Sequence, residues 1–322
     1  MFRFLSRFSA YGDLAGKALR VAVRSVPWFL EPIFLFCYAI IYTIVSRPPL
    51  RAAQRNIDVI FAHKGVKPPV FAQFKLIYQF AATMAEGLRA VDDPECIEWT
   101  VEGMDQLQQL INEDQGAILL TVHMGSYDLA AASFVEKLGR NVNVVRTPER
   151  DPKTQQLRET EIEETRIATQ ARFAESAPTL KVHFNRSESL LGIDLASALH
   201  RKEFVAIQGD RVMFDVSAMT APCCSSNIRM PKGPFVLAEA TRAPIYPLII
   251  LRKGWRHYAI RCLTPLPTPI VKERSARINE RAAHWGKQLE TLITDEWHQW
   301  FVFEQAFTKE TKPTHAEQHP AQ

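Results

Sequence analysis

Short apolar runs alternate with helical patterns through most of the chain. Runs that predict strands lie at 97–101, 117–122, 142–145, 180–184, 204–208, 245–251 and 257–263. Segments whose spacing of apolar or charged residues predicts helices lie at 51–61, 71–89, 104–111, 126–138, 155–174, 190–200, 234–242 and 278–297. Continuous apolar strands between helices are typical of a buried sheet with mostly parallel strands. The pattern therefore predicts an α/β fold: a mostly parallel central sheet flanked by helices.

The N-terminal segment differs because its apolar residues form one dense run, from Pro27 to Val45. Glu31 and Pro32 interrupt this run, and the 13 residues that follow reach only about 20 Å as a helix. A hydrocarbon core is ~30 Å thick. Residues 2–24 interleave bases with apolar residues, as an interfacial amphipathic helix does. Two interpretations stay open. We favour attachment to the cytoplasmic side of a membrane, by one span or by lying in the leaflet; the alternative is a buried pair of core helices.

Composition excludes several classes of protein. With 322 residues, 47% hydrophobic and 23% charged, the chain can build a core and is not disordered throughout. A mean hydropathy of −0.13 excludes a polytopic membrane protein. Five scattered cysteines with no CxxC spacing favour reduced thiols over a disulfide framework or a zinc site, so no metal or other cofactor is expected.

Positive charge is concentrated at the N-terminus. The net charge is +4, and the first 60 residues alone carry eight bases against three acids. A basic end beside an apolar run favours an anionic membrane surface over nucleic acid as the partner. These features divide the chain into a basic amphipathic segment and hydrophobic anchor at 1–47, an α/β domain at 48–306, and a polar tail at 307–322 that we expect to be disordered.

His123 is the first candidate for chemistry. It follows the apolar strand at 117–122, stands before a glycine turn and a helix, and precedes Asp128 by five positions. Helical side chains lean toward the N-terminus, so the carboxylate of Asp128 is expected to reach the imidazole and fix its tautomer. His183 and Glu188 share the spacing but lack the glycine turn. We therefore interpret the second pair as a chance match.

Other strand ends carry polar residues that are expected to meet at the same edge of the sheet. Arg146 ends the third strand, and Gly209, Asp210 and Arg211 follow the strand at 204–208. Lys232 opens a helix, where an N-terminus favours anions. A histidine surrounded by such residues suits a base acting beside a substrate that bears phosphate.

Four blocks follow one another in the chain. They are His123-x4-Asp128 after its apolar strand, Val-Val-Arg146-x-Pro148, Gln-Gly-Asp210-Arg211, and Lys232-Gly-Pro-Phe-x-Leu-Ala238 followed by Ala243-Pro-Ile-Tyr-Pro247. They are accompanied by the N-terminal hydrophobic anchor, Arg51-x3-Arg55-Asn56 and Trp297-x2-Trp300-x2-Phe303. In this order, over residues 47–306, the chain resembles the bacterial lipid A biosynthesis acyltransferases, the lauroyl and myristoyl transferases within the lysophospholipid acyltransferase superfamily.

The resemblance implies an enzyme of the cytoplasmic side of the bacterial inner membrane. It would transfer a fatty acyl chain from an acyl thioester, with acyl carrier protein favoured over coenzyme A, to a hydroxyl of a lipid A precursor or a lysophospholipid-like acceptor. His123 would be the base on that hydroxyl and Asp128 would orient it. The residues that would hold polar groups of the substrates or shape the site are Arg146, Gly209, Asp210, Arg211 and Lys232.

The chain also departs from the usual pattern of this family. Asp128 stands where Glu is common, Val145 where an aromatic residue is usual, and Arg211 follows Asp210 without the second Asp of the usual Asp-x-Asp block. A divergent member is therefore expected. Two alternatives remain: a lipid ester hydrolase, disfavoured because no G-x-S-x-G elbow is present, and a non-enzymatic lipid-binding protein of the same fold, which would not need His123.

Overall fold

The computed structural model describes residues 19, 21–23, 25–27, 29–45, 47–127, 129–130, 138–146, 179–185, 190–213 and 216–308. In this part of the chain the helices are α1 (Glu31–Val45), α2 (Arg47–His63), α3 (Ala72–Asp92), α4 (Met104–Asn112), α5 (Leu191–His200), α6 (Gly233–Thr241) and α7 (Arg274–Glu296). The strands are β1 (Glu98–Glu102), β2 (Ala117–Thr121), β3 (Val142–Arg146), β4 (Leu180–Phe184), β5 (Phe204–Gln208), β6 (Ala218–Cys223), β7 (Ser226–Pro231), β8 (Ile245–Gly254), β9 (His257–Cys262) and β10 (Phe307–Thr308).

The main sheet has the order β1-β9-β8-β2-β5-β3-β4. Neighbouring strands are parallel throughout except for β8 and β9, which form an antiparallel hairpin. Because β2 lies between β5 and β8 in the middle of the sheet, its residues from Ala117 to Leu120 are buried. The prediction of a mixed α/β fold with a mostly parallel sheet is thereby confirmed.

Helices cover both faces of this sheet. Alternate residues of a strand point to opposite faces, so each strand contributes to both layers of core. Ile118 and Leu120 of β2 belong to a core with residues of α2, α5, α6 and α7. Ala117 and Leu119 face the other way, into a core with α4 and the segment that follows β2. The helix expected at 155–174 lies outside the described residues, as does most of the one expected at 126–138.

The helix α1 packs along α3 through one of its two apolar faces. Leu35 and Ala39 of α1 are fully buried in a core with Ile77 and Ala81 of α3 and their neighbours. Glu31, the charge that interrupts the apolar run, is also buried and forms an ion pair with Arg89 of α3. The opposite face of α1 exposes large apolar side chains, namely Ile33, Phe36, Ile40, Ile41 and Ile44.

Within the described residues, no single helix has both the length and the apolar character needed to cross a membrane. The pair Glu31–Val45 and Pro49–His63, bent by 96°, meets that requirement only when both helices are counted together, by length and composition. Most of the amphipathic segment expected at 2–24 lies outside the described residues.

A second, smaller sheet was not predicted. It has the order β10-β7-β6, with both pairings antiparallel. The strand β10 includes Phe307 and Thr308, which lie just past the expected domain end at 306. The rest of the expected tail lies outside the described residues. This sheet packs against α7, whose Gly286 stands beside the carbonyl of Pro222.

Candidate active site

His123 and Asp210 are in contact at the carboxyl edge of the main sheet. Thr121 of β2 pairs with Gln208 of β5. His123 and Asp210 each lie two residues after one member of that pair. His123 Nδ1 lies 2.8 Å from Asp210 Oδ1, and the backbone N–H of His123 donates to Asp210 Oδ2 at 2.9 Å. An ionised carboxylate only accepts hydrogen bonds, so it holds the proton on Nδ1. Nε2 is then the nitrogen that can accept a proton.

Indole groups fix Asp210 in this position. Asp210 is fully buried, and Trp300 Nε1 donates to its Oδ2 at 2.9 Å. Trp285 Nε1 donates to the carbonyl of the preceding Gly209 at 2.8 Å. A Cβ at Gly209 would lie 2.6 Å from Leu120 Cδ1, so only glycine fits there without displacement. The carboxylate therefore meets the imidazole in a fixed geometry.

The pKa of Asp210 is lowered. Burial alone would raise it, but the charge of His123, the two hydrogen bonds from that residue and the one from Trp300 outweigh burial. Asp210 thus stays ionised at neutral pH. A permanently ionised partner is what a histidine base requires, because it stabilises the imidazolium that forms when Nε2 takes a proton.

The turn that carries His123 is closed by the C-terminal segment of the domain. The backbone N–H of Phe301 donates to the carbonyl of His123 at 2.8 Å. Gly125, two residues after His123, has φ +52°, and a Cβ there would lie 2.6 Å from the carbonyl oxygen of Ile250. The glycine turn expected from the sequence is thus required by close backbone packing as well as by its positive φ.

Tyr127 connects His123 with Arg146. The ring of Tyr127 stands edge-on to the imidazole, with centroids 5.9 Å apart. The guanidinium of Arg146 lies over the same ring, 5.4 Å from its centroid. A cation over an aromatic face is attracted to it, so Tyr127 holds the Arg146 side chain toward the catalytic edge. The sequence placed Arg146 at this edge but did not single out Tyr127.

An apolar pocket of about 670 Å³, including its open mouth, descends from this edge between the sheet and the segment after β2. Its polar end contains Thr121, Tyr127, Arg146 and Gln208. Below them it is lined by apolar side chains, namely Leu119, Ala130, Leu138, Val142, Val144, Ala206, Leu248 and others. Val142 and Arg146 stand at opposite ends of β3, about 13 Å apart at ~3.3 Å per residue. Apolar side chains thus line the pocket along the length of β3, which suits a hydrocarbon chain.

Arg211 contacts the C-terminal segment that carries Trp300. Its guanidinium forms an ion pair with Glu304 of the C-terminal segment. The same segment is held by Asn56 of α2, whose side-chain amide donates to the carbonyl of Glu304 at 2.8 Å and accepts from the N–H of Ala306 at 3.0 Å. Arg211 and Asn56 therefore anchor the segment that brings Trp300 to Asp210.

The remaining predicted residues have different outcomes. Lys232 precedes α6, and because α6 leads into the start of β8, its N-terminus faces the carboxyl edge of the sheet.

His183 Nε2 lies 2.9 Å from Asn143 Oδ1, a structural hydrogen bond. Asp128 and Glu188 lie outside the described residues. The partner of His123 in the described part of the chain is Asp210, which the sequence had assigned to substrate binding or site shape.

Trp285, Trp300 and Tyr127 are site residues that the sequence did not assign. Trp300 is part of the closing Trp297-x2-Trp300-x2-Phe303 pattern. That pattern contributed to the resemblance, but it did not give Trp300 a role. Its indole reaches Asp210 across 90 positions of sequence. Contacts at that separation depend on the strand order, which periodicity does not give.

The comparison with known proteins agrees with this geometry. The family description "bacterial lipid A biosynthesis acyltransferase" matches residues 5–309, nearly the whole chain. No curated protein sequence matches the chain. The family implies acyltransferase activity in lipid A biosynthesis. This chain therefore belongs to the bacterial lipid A biosynthesis acyltransferase family.

Proposed function

We propose that this protein transfers a fatty acyl chain from an acyl thioester to a hydroxyl group of a lipid A precursor or a similar membrane lipid, with His123 as general base. The observation that carries the proposal is the contact between His123 and the buried, ionised Asp210. Nε2 of His123 removes the hydroxyl proton as the oxygen attacks the thioester carbonyl. The tetrahedral intermediate then collapses, the carbon–sulfur bond breaks, and the imidazolium returns the proton to the leaving thiolate.

No covalent enzyme intermediate is needed in this scheme, because the acceptor hydroxyl attacks directly. Asp210 remains ionised and stabilises the imidazolium, as the carboxylate of a serine protease triad does. The His-x4-Asp spacing keeps Asp128 as a second candidate carboxylate near the imidazole. We assign the orienting role at Nδ1 to Asp210 and leave Asp128 as a residue to be tested beside it.

The pocket below Arg146 is the proposed site of the acyl chain. Its lining is apolar over most of its length, with a few polar groups at one end, as in binding pockets for apolar ligands. Each buried methylene contributes about 0.8 kcal/mol to binding. The polar end of the pocket, with Arg146 and Tyr127, lies beside His123. A chain inserted from that end would therefore leave its thioester near the base.

Arg146 and Lys232 are proposed to bind phosphate groups of the substrates. Both lie at the carboxyl edge of the sheet, and Lys232 stands at a helix N-terminus that favours anions. Phosphate is present in lipid A precursors and in the arm of acyl carrier protein or coenzyme A. We favour acyl carrier protein as the donor, and no cofactor or metal takes part in the transfer.

The exposed face of α1 is proposed to lie on the cytoplasmic surface of the inner membrane. Its large apolar side chains, Ile33, Phe36, Ile41 and Ile44, are each at least half exposed. Contiguous apolar surfaces of this kind mark interaction sites. The helix is docked on α3 through Glu31 and Arg89. Monotopic attachment through that face would hold the protein at the surface of the membrane that contains its lipid acceptors.

The test is mass spectrometry of total lipids from cells that express the wild type or the His123→Ala variant at equal levels. We expect a lipid that gains one acyl chain only with the wild type, which would identify the reaction and its acceptor. His183→Gln is the matched control, because His183 lies within β4 and its Nε2 makes a structural hydrogen-bond contact with Asn143. It should leave the new lipid unchanged. The new lipid appearing at wild-type levels with His123→Ala would contradict the mechanism.

Purified wild-type protein then separates the remaining alternatives. Incubation with acyl carrier protein or coenzyme A thioesters, with and without the acceptor, distinguishes transfer from hydrolysis. We expect loss of thioester to depend on the acceptor and to be faster with acyl carrier protein. Free fatty acid as the main product would favour a hydrolase, and thioester left intact beside bound acceptor would favour a binding protein.

A further inference from the structure

The tip of the β6–β7 hairpin brings two thiols together far from the catalytic edge. Cys223 ends β6, Cys224 and Ser225 form the turn, and Ser226 begins β7. Both cysteines are only 2% exposed. The hairpin spans six residues between this tip and Lys232, or about 20 Å at ~3.4 Å per residue. The two thiols are therefore separate from the groups assigned to acyl transfer.

The turn has a backbone conformation that its residues do not favour. Cys224 and Ser225 both have φ +52°, as in a type I′ turn. Asn-Gly, Asp-Gly and Gly-Gly are the usual pairs at those positions, because positive φ disfavours other side chains. Backbone strain at a defined position is a reason to look for function there. Here the turn holds both thiol groups on the inner side of the hairpin.

The distance between the sulfur atoms fits a shared metal ion. Cys223 Sγ and Cys224 Sγ are 3.9 Å apart. Two Zn–S bonds of ~2.3 Å at a tetrahedral angle place their sulfur atoms about 3.8 Å apart. A disulfide would need the same atoms at ~2.05 Å and hence a different turn. Metal binding is the smaller change from the observed geometry.

A carboxylate completes a set of three donors, and an imidazole lies next to that carboxylate. One atom each from Cys223, Cys224 and Glu290 of α7 lie within 4.8 Å of one another. Glu290 also accepts a hydrogen bond from the backbone N–H of Cys224, which fixes its side chain at the turn. His63 at the end of α2 places Nε2 3.7 Å from Glu290 Oε1, and its Nδ1 contacts Ser225 Oγ at 2.8 Å. These four side chains come from three elements.

We propose that Cys223, Cys224 and Glu290, with His63 as the fourth ligand, form a structural Zn²⁺ site that fastens the hairpin to α2 and α7. Two sulfurs, an imidazole and a carboxylate are ligands that zinc accepts in four-coordinate sites. Binding converts both thiols to thiolates and releases two protons to solvent. The cysteines are buried while His63 and Glu290 are partly exposed, which gives the ion a route of entry.

The spacing of cysteines along the sequence did not suggest this site. Adjacent cysteines lack the two-residue separation of common zinc motifs. The other two residues are distant in sequence: Glu290 lies more than 60 positions from the hairpin turn and His63 more than 150. Only the packing of the hairpin on α7 and α2 brings them together.

The experiment uses the full chain, purified under reducing conditions and stripped of metal with a chelator. Titration with Cd²⁺ should produce a thiolate-to-metal absorption band that saturates at one ion per chain. Zn²⁺ should displace it and raise the midpoint of thermal unfolding. The Cys223→Ser/Cys224→Ser double variant should show neither effect, and Glu290→Gln should weaken binding tenfold or more. Cys262→Ser, which removes a buried cysteine from β9, is the control and should bind as the wild type does.

A second measurement does not depend on the variants folding. Cys223 and Cys224 are buried and react only through local opening, so in the wild type Zn²⁺ should slow their alkylation, mapped over time by mass spectrometry, and leave the rate at the exposed Cys37 unchanged. An unchanged alkylation pattern with Zn²⁺ would overturn the proposal. So would the same Cd²⁺ band in the double variant, or a Cys223–Cys224 disulfide that takes up no metal after reduction. Acyl transfer should persist in the metal-free protein at low temperature, so this test is independent of the proposed function.

Discussion

Asp210 and Glu86 are two of the fully buried carboxylates in the described part of the chain, and they have different partners. Asp210 accepts from His123 and Trp300. Glu86 accepts from both Nε and Nη2 of Arg252, at 2.9 and 2.7 Å, and from the hydroxyl of Tyr258 at 2.6 Å. Their burial is equal and their hydrogen bonding is comparable. They differ in whether the cationic partner can lose its proton.

This difference separates a catalytic pair from a structural one. A guanidinium keeps its proton at any physiological pH, so the pair of Glu86 and Arg252 is permanently charged and can only hold α3 against β8. Burial would lower the pKa of Arg252, but the hydrogen bonds and charge of Glu86 raise it. An imidazole gains and loses a proton near neutral pH. Asp210 can therefore support proton transfer, and Glu86 cannot.

The largest expected effect is loss of transfer in Asp210→Asn. An amide in that place can donate to Nδ1 of the imidazole, which moves the ring proton to Nε2 and removes the base. In the comparable change in a serine protease triad, turnover falls by about 10⁴. We expect kcat to fall by about 10³–10⁴ here, measured with purified protein and saturating thioester. An Asp128→Asn variant is the matched comparison, and a larger loss there than in Asp210→Asn would reverse the assignment of the two carboxylates.

Glu86→Gln should have the next largest effect, on stability. It leaves the guanidinium of Arg252, which is almost fully buried, without a counter-charge. Removing one partner of a buried ion pair costs about 3–5 kcal/mol. We expect the free energy of unfolding to fall by that amount in denaturant titrations, while the folded fraction keeps kcat within a few-fold. A stable Glu86→Gln protein with a large loss of kcat would show that this cluster also takes part in catalysis.

The predicted and observed strands show how much of the fold the sequence could predict. The boundaries of β5 match the apolar run at 204–208, because buried parallel strands are continuously apolar. The strand predicted at 180–184 also matches β4, where polar and apolar residues alternate at the edge of the sheet. The second sheet was missed because β6 and β7 expose alternate residues and contain prolines at 222 and 231. Strands of that kind leave no continuous apolar run to detect.

The candidate site was predicted in part for a related reason. His123 and Asp210 were placed at the same edge, since each follows a parallel strand. Their direct contact depends on β2 and β5 being neighbours with Thr121 opposite Gln208. Strand order and register are set by packing between distant segments, so the partner of His123 could not be chosen from spacing. Local spacing favoured Asp128 instead.

Trp300→Phe should have a smaller effect, on both kcat and the free energy of unfolding. It keeps an aromatic ring but removes the N–H that donates to Asp210 Oδ2. Loss of a hydrogen bond to a buried charged group costs about 1.5–3 kcal/mol. We expect the unfolding free energy to fall within that range and kcat to fall about tenfold, as Asp210 loses part of its fixed position. An unchanged kcat would mean that the bonds from His123 suffice to hold the carboxylate.

The smallest effect should appear in the pH dependence of stability. The folded pKa of Asp210 is lowered, so the stability that its ionised form contributes is complete above its unfolded pKa of about 3.9. That contribution is lost as the pH falls through the folded value. The difference in unfolding free energy between the wild type and Asp210→Asn should therefore shrink as the pH falls below about 4. Denaturant titrations of both proteins at matched pH values measure it. A difference that persists undiminished at acid pH would mean that Asp210 stabilises the fold through packing of its neutral form, and its likeness to a catalytic carboxylate would then rest on geometry alone.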